Sequence, residues 1–167
     1  MGTTRDQLEE MFRALDRRID AIHRERREDG LPPLLKASVQ LLGQLSLLVD
    51  ENASPALSLA QTLDMDALLR MDSVIKEELK KLLKSHGYVC DEDSPLIWIP
   101  PDSEFLAFLD LNHVVVESID PESALVSKAV KDPLKNMQLI RQAIASDQFP
   151  TLVDRILANG GKLEDFI

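Results

Sequence analysis

The stretch "HGYVCDEDSPLIWIPPD", residues 86–102, interrupts a chain that is otherwise patterned as one helix after another. It follows a segment that carries Lys80, Lys81 and Lys84 just before Gly87, the composition of a helix C-terminus. Within the stretch, "YVC" and "LIWI" are short β-prone runs separated by the acidic turn "DEDSP". That spacing predicts a β-hairpin over residues 88–99. The fold class expected is therefore mostly α, a helical domain with one short β-hairpin.

Outward from the hairpin, helical periodicity dominates. Leu8, Phe12, Leu15, Ile19 and Ile22 recur at helical intervals behind a Thr4–Gln7 capping-box spacing, predicting an N-terminal amphipathic helix to about Asp29. Gly30 and Pro32-Pro33 stop it. Its narrow apolar stripe suits a coiled-coil seam and a homodimer, or packing on its own domain. "LLKASVQLLGQLSLLVDE" is apolar around much of its circumference and reads as a central helix. Three helices are expected to open with proline behind a cap, at Ser54-Pro55, Asp120-Pro121 and Asp132-Pro133. The segment from Asp66 to His86 reads as one long helix, and "SEFLAFLDLN" as another. "HVVVES" stays ambiguous, because three β-branched residues in a row weaken a helix. Asn159-Gly160-Gly161 ends the last helix, before "LEDFI", which reads as a fold-back or a docking peptide. The organisation expected is a helix over 1–30, a core over 31–118 and short C-terminal helices over 119–167.

A helix ending "LLKSHG", the strand "YVC", the turn "DEDSP", the strand "LIWI" and then "PPDSEFLAFL" together resemble the end of a winged helix-turn-helix domain. "LSLAQTLD" looks like the positioning helix of that family, and the resemblance spans residues 33–110. The spacing from Leu59 to Leu79 is about a turn longer than the family's compact form. The resemblance implies a recognition helix, a wing, and either DNA binding or protein interaction.

Charge decides between those two. The formal charge is −10, and from Tyr88 to Ser127 there is no Lys or Arg against nine acids, Asp91, Glu92, Asp93, Asp102, Glu104, Asp110, Glu117, Asp120 and Glu122. Such a surface repels phosphate and favours a basic partner, or it merely keeps an apolar region soluble. Asp91, Glu92, Asp93, Trp98, Asp102 and Glu104 are the candidate partner-binding residues. Trp98 either plugs the hairpin or stands outward among the acids as an anchor. The alternative, a winged-helix transcriptional regulator, would use Arg13, Arg17, Arg24 and Arg27 with Lys76, Lys80, Lys81 and Lys84. Glu9, Asp20, Glu77 and Glu78 interleave with that set, as on an ordinary solvated helix face.

Chemistry is harder to place. His86 and Cys90 make one thin metal-ligand pair, and Cys90 precedes acids that would raise a thiol pKa. His113 has no nucleophile within view of the sequence, and the glycines form no phosphate loop. No run of about 18 apolar residues spans a membrane. The polar N-terminus lacks a signal peptide's apolar run, position 6 is Asp6 where myristoylation wants Ser or Thr, and a single cysteine makes no internal disulfide. The function expected is a soluble, cytoplasmic, non-enzymatic interaction module without metal or cofactor.

Overall fold

The computed structural model describes residues 3–90 and 96–166. Helix α1 (Thr4–Glu28) is capped one residue earlier than expected. The Thr3 hydroxyl accepts from the Asp6 amide at 3.1 Å, and Asp6 accepts the Thr3 amide at 3.2 Å. Leu8, Met11, Phe12, Leu15 and Ile19 are fully buried along one stripe. They share a cluster with residues of a β-sheet, so the stripe of α1 faces its own chain.

The apolar stretch expected as the second helix splits. Ala37–Leu41 is strand β1 and Gly43–Val49 is helix α2, parted at Gly43, whose φ is +58°. Ala37, Val39 and Leu41 alternate with half-buried Ser38 and Gln40, the two-residue period of a strand hidden within an all-round apolar run. Next, α3 spans only Ala53–Ala56, where Asp50 Oδ1 accepts the Asn52 and Ala53 amides at 2.9 and 2.8 Å. "LSLAQTLD" forms no helix and leads instead into β2 (Asp64–Met65) and β3 (Ala67–Arg70). The expected Asp66–His86 helix therefore begins late, as α4 (Ser73–Ser85). Its N-cap is Asp72, which accepts from the Val74 amide at 2.9 Å.

The hairpin over 88–99 is not formed between its described strands. Val89–Cys90 is a strand, β4, but it pairs in parallel with β2, and Leu96–Ile99 forms no strand. The turn Asp91–Pro95 lies outside the described residues. "SEFLAFLDLN" contains β5 (Phe105–Asp110), and the ambiguous "HVVVES" is β6 (Val114–Ile119). The β-branched residues thus sit where their stiff side chains suit a pleated surface. The main sheet runs β3-β1-β6-β5. Its central pair is parallel, in register from Ala37↔Val114 to Leu41↔Ser118, and antiparallel strands flank it. The chain is mostly helical, with this four-stranded mixed sheet in place of one hairpin.

Helix α5 (Pro121–Lys131) opens as expected, with Asp120 accepting the Ser123 amide at 3.0 Å and Pro121 in the first turn. Asp132-Pro133 does not open a helix; α6 (Met137–Ala145) starts behind Asn136. Then α7 (Leu152–Ala158) closes at Asn159-Gly160, and a 3-10 turn, Leu163–Phe166, buries Phe166 against the C-terminal helices.

Two apolar clusters result. One joins α1 and α4 to the sheet face that carries Val39, Leu41, Val114 and Val116. The other gathers Leu42, Leu47 and Ile119 with α5, α6, α7 and Phe166. Phe12 is fully buried in the first cluster, so Phe12→Ala should cost about 3–5 kcal/mol of unfolding free energy, read from the shift of the urea midpoint.

Candidate functional site

The two parallel strands point their carboxyl ends the same way. Beyond β1 the chain enters α2, and beyond β6 it enters α5. In open α/β sheets a crevice at that end of the strands is the usual place for a ligand. A cleft of about 190 Å³ opens there, lined by Leu42, Gly43 and Asp66 on one side. Ile97, Trp98 and Ile119 line it as well, with Ala124, Ser127, Lys128, Lys131, Asp132, Lys135 and Asn136 on the helical side.

Local rules put those side chains in place. Ala124, Ser127, Lys128 and Lys131 are spaced three, four and seven residues along α5 and so share a face. The Ser127 hydroxyl donates to the Trp98 carbonyl at 2.9 Å and fastens the irregular segment 97–99 to α5. Lys131 Nζ stands 5.1 Å from the centre of the Trp98 ring, a cation over its face. The Asn136 side-chain amide donates to the Asp132 carbonyl at 2.9 Å and folds the chain after α5 back towards the cleft. Opposite, the Leu42 amide donates to the Asp66 carbonyl at 2.8 Å, which carries the β1–β3 ladder one step past Leu41. An ideal Cβ on Gly43 would lie 2.8 Å from Asp66 Oδ2, so only glycine lets Asp66 approach so closely.

The electrostatics are mixed and concentrated. Half-buried Lys128 has its pKa lowered, first by burial and next by the positive charge of Lys135, with Asp66 and Asp132 pulling the other way. Lys128, Lys131 and Lys135 line one side of the cleft. An anion beside Lys128 would favour its charged form. Among the described residues no three His, Cys, Asp or Glu side chains converge on a metal site. A divalent cation here would have Asp66 and Asp132 as the carboxylates of the lining, with ligand oxygens and water completing the shell.

The residues singled out from the sequence fall in several places. Trp98 is half-buried in the cleft beneath Lys131. Asp91, Glu92 and Asp93 lie outside the described residues. Asp102 and Glu104 are exposed before β5. Other acids of the lysine-free run are met by bases from elsewhere in the chain. Lys36 pairs with Asp110 at 2.6 Å, and Arg155 reaches Glu122 at 3.1 Å and Asp120 at 3.9 Å. The run is therefore not one continuous negative face.

The basic set is similarly divided. Arg13 pairs with Glu9 and Arg24 with Asp20, while Glu78 takes both Arg18 of α1 and Lys81 of α4. Arg17, Arg27 and Lys84 are exposed, and Lys76 and Lys80 are half-buried. His86 caps α4, its Nδ1 2.9 Å from the Leu82 carbonyl.

Sequence reasoning missed Gly43, Asp66, Lys128, Lys131 and Lys135. The available signals were the three lysines spaced three and four apart, Asp64-Met65-Asp66, and a glycine ending an alternating run. No protein-family model matches the chain, and no curated protein or solved structure matches it significantly.

Gly43→Ala tests how closely the cleft is built. A left-handed backbone costs a non-glycine residue about 1–2 kcal/mol, and the new methyl must also displace Asp66. A urea midpoint lowered by at least that cost is expected; an unchanged midpoint would show that Asp66 does not need the glycine.

Proposed function

We propose that the cleft between β1, β3 and α5 binds a phosphate-bearing small molecule, and that a nucleotide with its divalent cation is the chemistry that uses all the parts. The observation that carries this reading is the convergence of Lys128, Lys131 and Lys135 on one cleft with the only tryptophan. Phosphate oxygens would neutralise the lysines. A flat ring would stack on Trp98 by displacing Lys131 from the face of the indole, which would turn that ammonium toward the phosphates. Asp66 would meet the cation that accompanies the phosphates. When bound, such a cation supplies charge neutralisation for phosphoryl or nucleotidyl transfer. This departs from the non-enzymatic module expected from sequence, because the lysines, Trp98 and Asp66 lie far apart in the chain and share a cleft only in the fold.

Titration with ATP and GTP, in magnesium and in EDTA, followed through Trp98 emission and by calorimetry, tests the reading. Saturable binding that weakens in EDTA is expected. Lys128→Ala and Lys135→Ala should each weaken it about tenfold, which is about 1.4 kcal/mol. No saturable signal from either nucleotide, or equal binding by both variants, overturns the proposal.

Docking of a basic partner remains a second reading, supported by one observation. Asp102 and Glu104 are exposed before the edge strand β5, and among the described residues no salt bridge engages them. Reversal of both to Lys should weaken capture of a basic partner from nuclease-treated extract without lowering the thermal midpoint. Capture that survives the reversal in a folded variant removes this reading.

A further inference from the structure

At the opposite end of the parallel strands lies a polar cluster unrelated to the cleft. Asp16, Asp20 and His23 sit on one face of α1, at spacings of four and three. The turn between β5 and β6 brings His113 against them. Its backbone amide donates to Asp16 Oδ1 at 2.7 Å, and its ring Nε2–H donates to Asp20 Oδ1 at 3.2 Å. The His23 and His113 rings meet edge to face, with centres 4.6 Å apart. His23 Nε2 in turn accepts the backbone amide of Leu34 at 3.1 Å, within the connector from α1 to β1. A ring nitrogen that accepts an N–H carries no proton, so this geometry requires neutral His23 with its proton on Nδ1.

We propose that His23 is a pH-dependent latch that holds the α1–β1 connector while its ring is neutral and releases it on protonation. Besides His23, the connector is held by packing of Leu34 on the first core, by the Ala37 amide on the His113 carbonyl at 2.9 Å, and by two charged side chains. Arg26 holds its beginning, through the Leu31 amide on the Arg26 carbonyl at 2.7 Å and Arg26 Nε on the Pro32 carbonyl at 2.8 Å. Lys36 holds its end, through Asp110 of β5. The backbone amide of Leu34, between them, is tied by His23. Protonation turns Nε2 into a second donor facing the Leu34 N–H, and it adds charge beside His113, Arg26 and Arg27. Asp20 is the nearby carboxylate that favours the charged ring, but it already accepts from His113 and pairs with Arg24. Asp16 is engaged by the His113 amide and Asp110 by Lys36. Burial and the neighbouring positive groups hold His23 below its ordinary value of 6.5, more than Asp20 raises it. The sign follows: the unfolded chain takes up this proton near 6.5 and the folded chain resists. The stabilisation is therefore complete above 6.5 and is lost as pH falls below it.

NMR decides the proposal on the folded protein. The His23 ring is titrated from about pH 7.5 to about 5 while the Leu34 amide is followed in the same samples. The expected result is a His23 midpoint below 6.5, with the Leu34 amide shift moving at that midpoint. In His23→Gln, whose amide oxygen accepts without titrating, the Leu34 amide should stay flat. A His23 midpoint at or above 6.5, or a Leu34 amide indifferent to it, overturns the latch. If the Gln variant fails to fold, the wild-type titration decides alone.

Discussion

The parallel pairing of β1 with β6 is the constraint on which the architecture rests. It joins residues 37–41 to residues 114–118, so its hydrogen bonds close a long loop before they return any free energy. That closure is offset by burial. Ala37, Val39, Leu41, Val114 and Val116 come onto one face in register and meet the stripe of α1 and the apolar side of α4. The loop between the two strands contains β3, which pairs back on β1, and β5, which pairs on β6. The same closure therefore organises both flanking strands.

Parallel strands have a polarity that an isolated hairpin lacks, and it sorts the molecule into two ends. At the carboxyl ends, β1 and β6 release the chain into α2 and α5, and the gap between these exits is the cleft. At the amino ends, the α1–β1 connector and the β5–β6 turn come together on α1 and bring His23 to His113. Each end joins segments distant in sequence. Asp66 faces Lys128 across the cleft, and Asp16 receives the His113 amide. Both clusters follow from the same strand pairing, and neither is implied by local pattern.

Legibility in the sequence divides along the same line. The caps at Asp120 and Asn159-Gly160, the apolar stripe of α1 and the lysine-rich end of α4 are local. Each depends on residues within two turns of helix, and each was readable, with the cap of α1 displaced from Thr4 to Thr3. Residues 37–41, 57–70 and 105–110 were misread as helix, and 113–118 left ambiguous, because short strands flanked by apolar residues carry both periodicities at once. "KASVQLLG" satisfies a two-residue alternation and a helical stripe together, and only its partner strands select the first. Of the candidate site residues, Trp98 was singled out for its chemistry, with a buried and an outward placement both left open, and it lies half-buried in the cleft. The lysines of α5 were passed over because nothing local sets them apart from an ordinary helix end.

From the sequence alone came the helical character, the helix ends written by proline, glycine and capping side chains, the uneven charge, and the lack of any apolar run long enough to cross a bilayer as a helix. These are properties of neighbouring residues, and helix hydrogen bonds span only four positions. Tertiary structure decided which runs became strands, which strands paired, and which charges met. Asp120 and Glu122 found Arg155, Asp110 found Lys36, and Lys128 was set against Lys135 beside Trp98. The physical reason is that a strand's hydrogen bonds and a charge's neighbours are supplied by distant parts of the chain. Their partners are chosen by burial and register rather than by local preference.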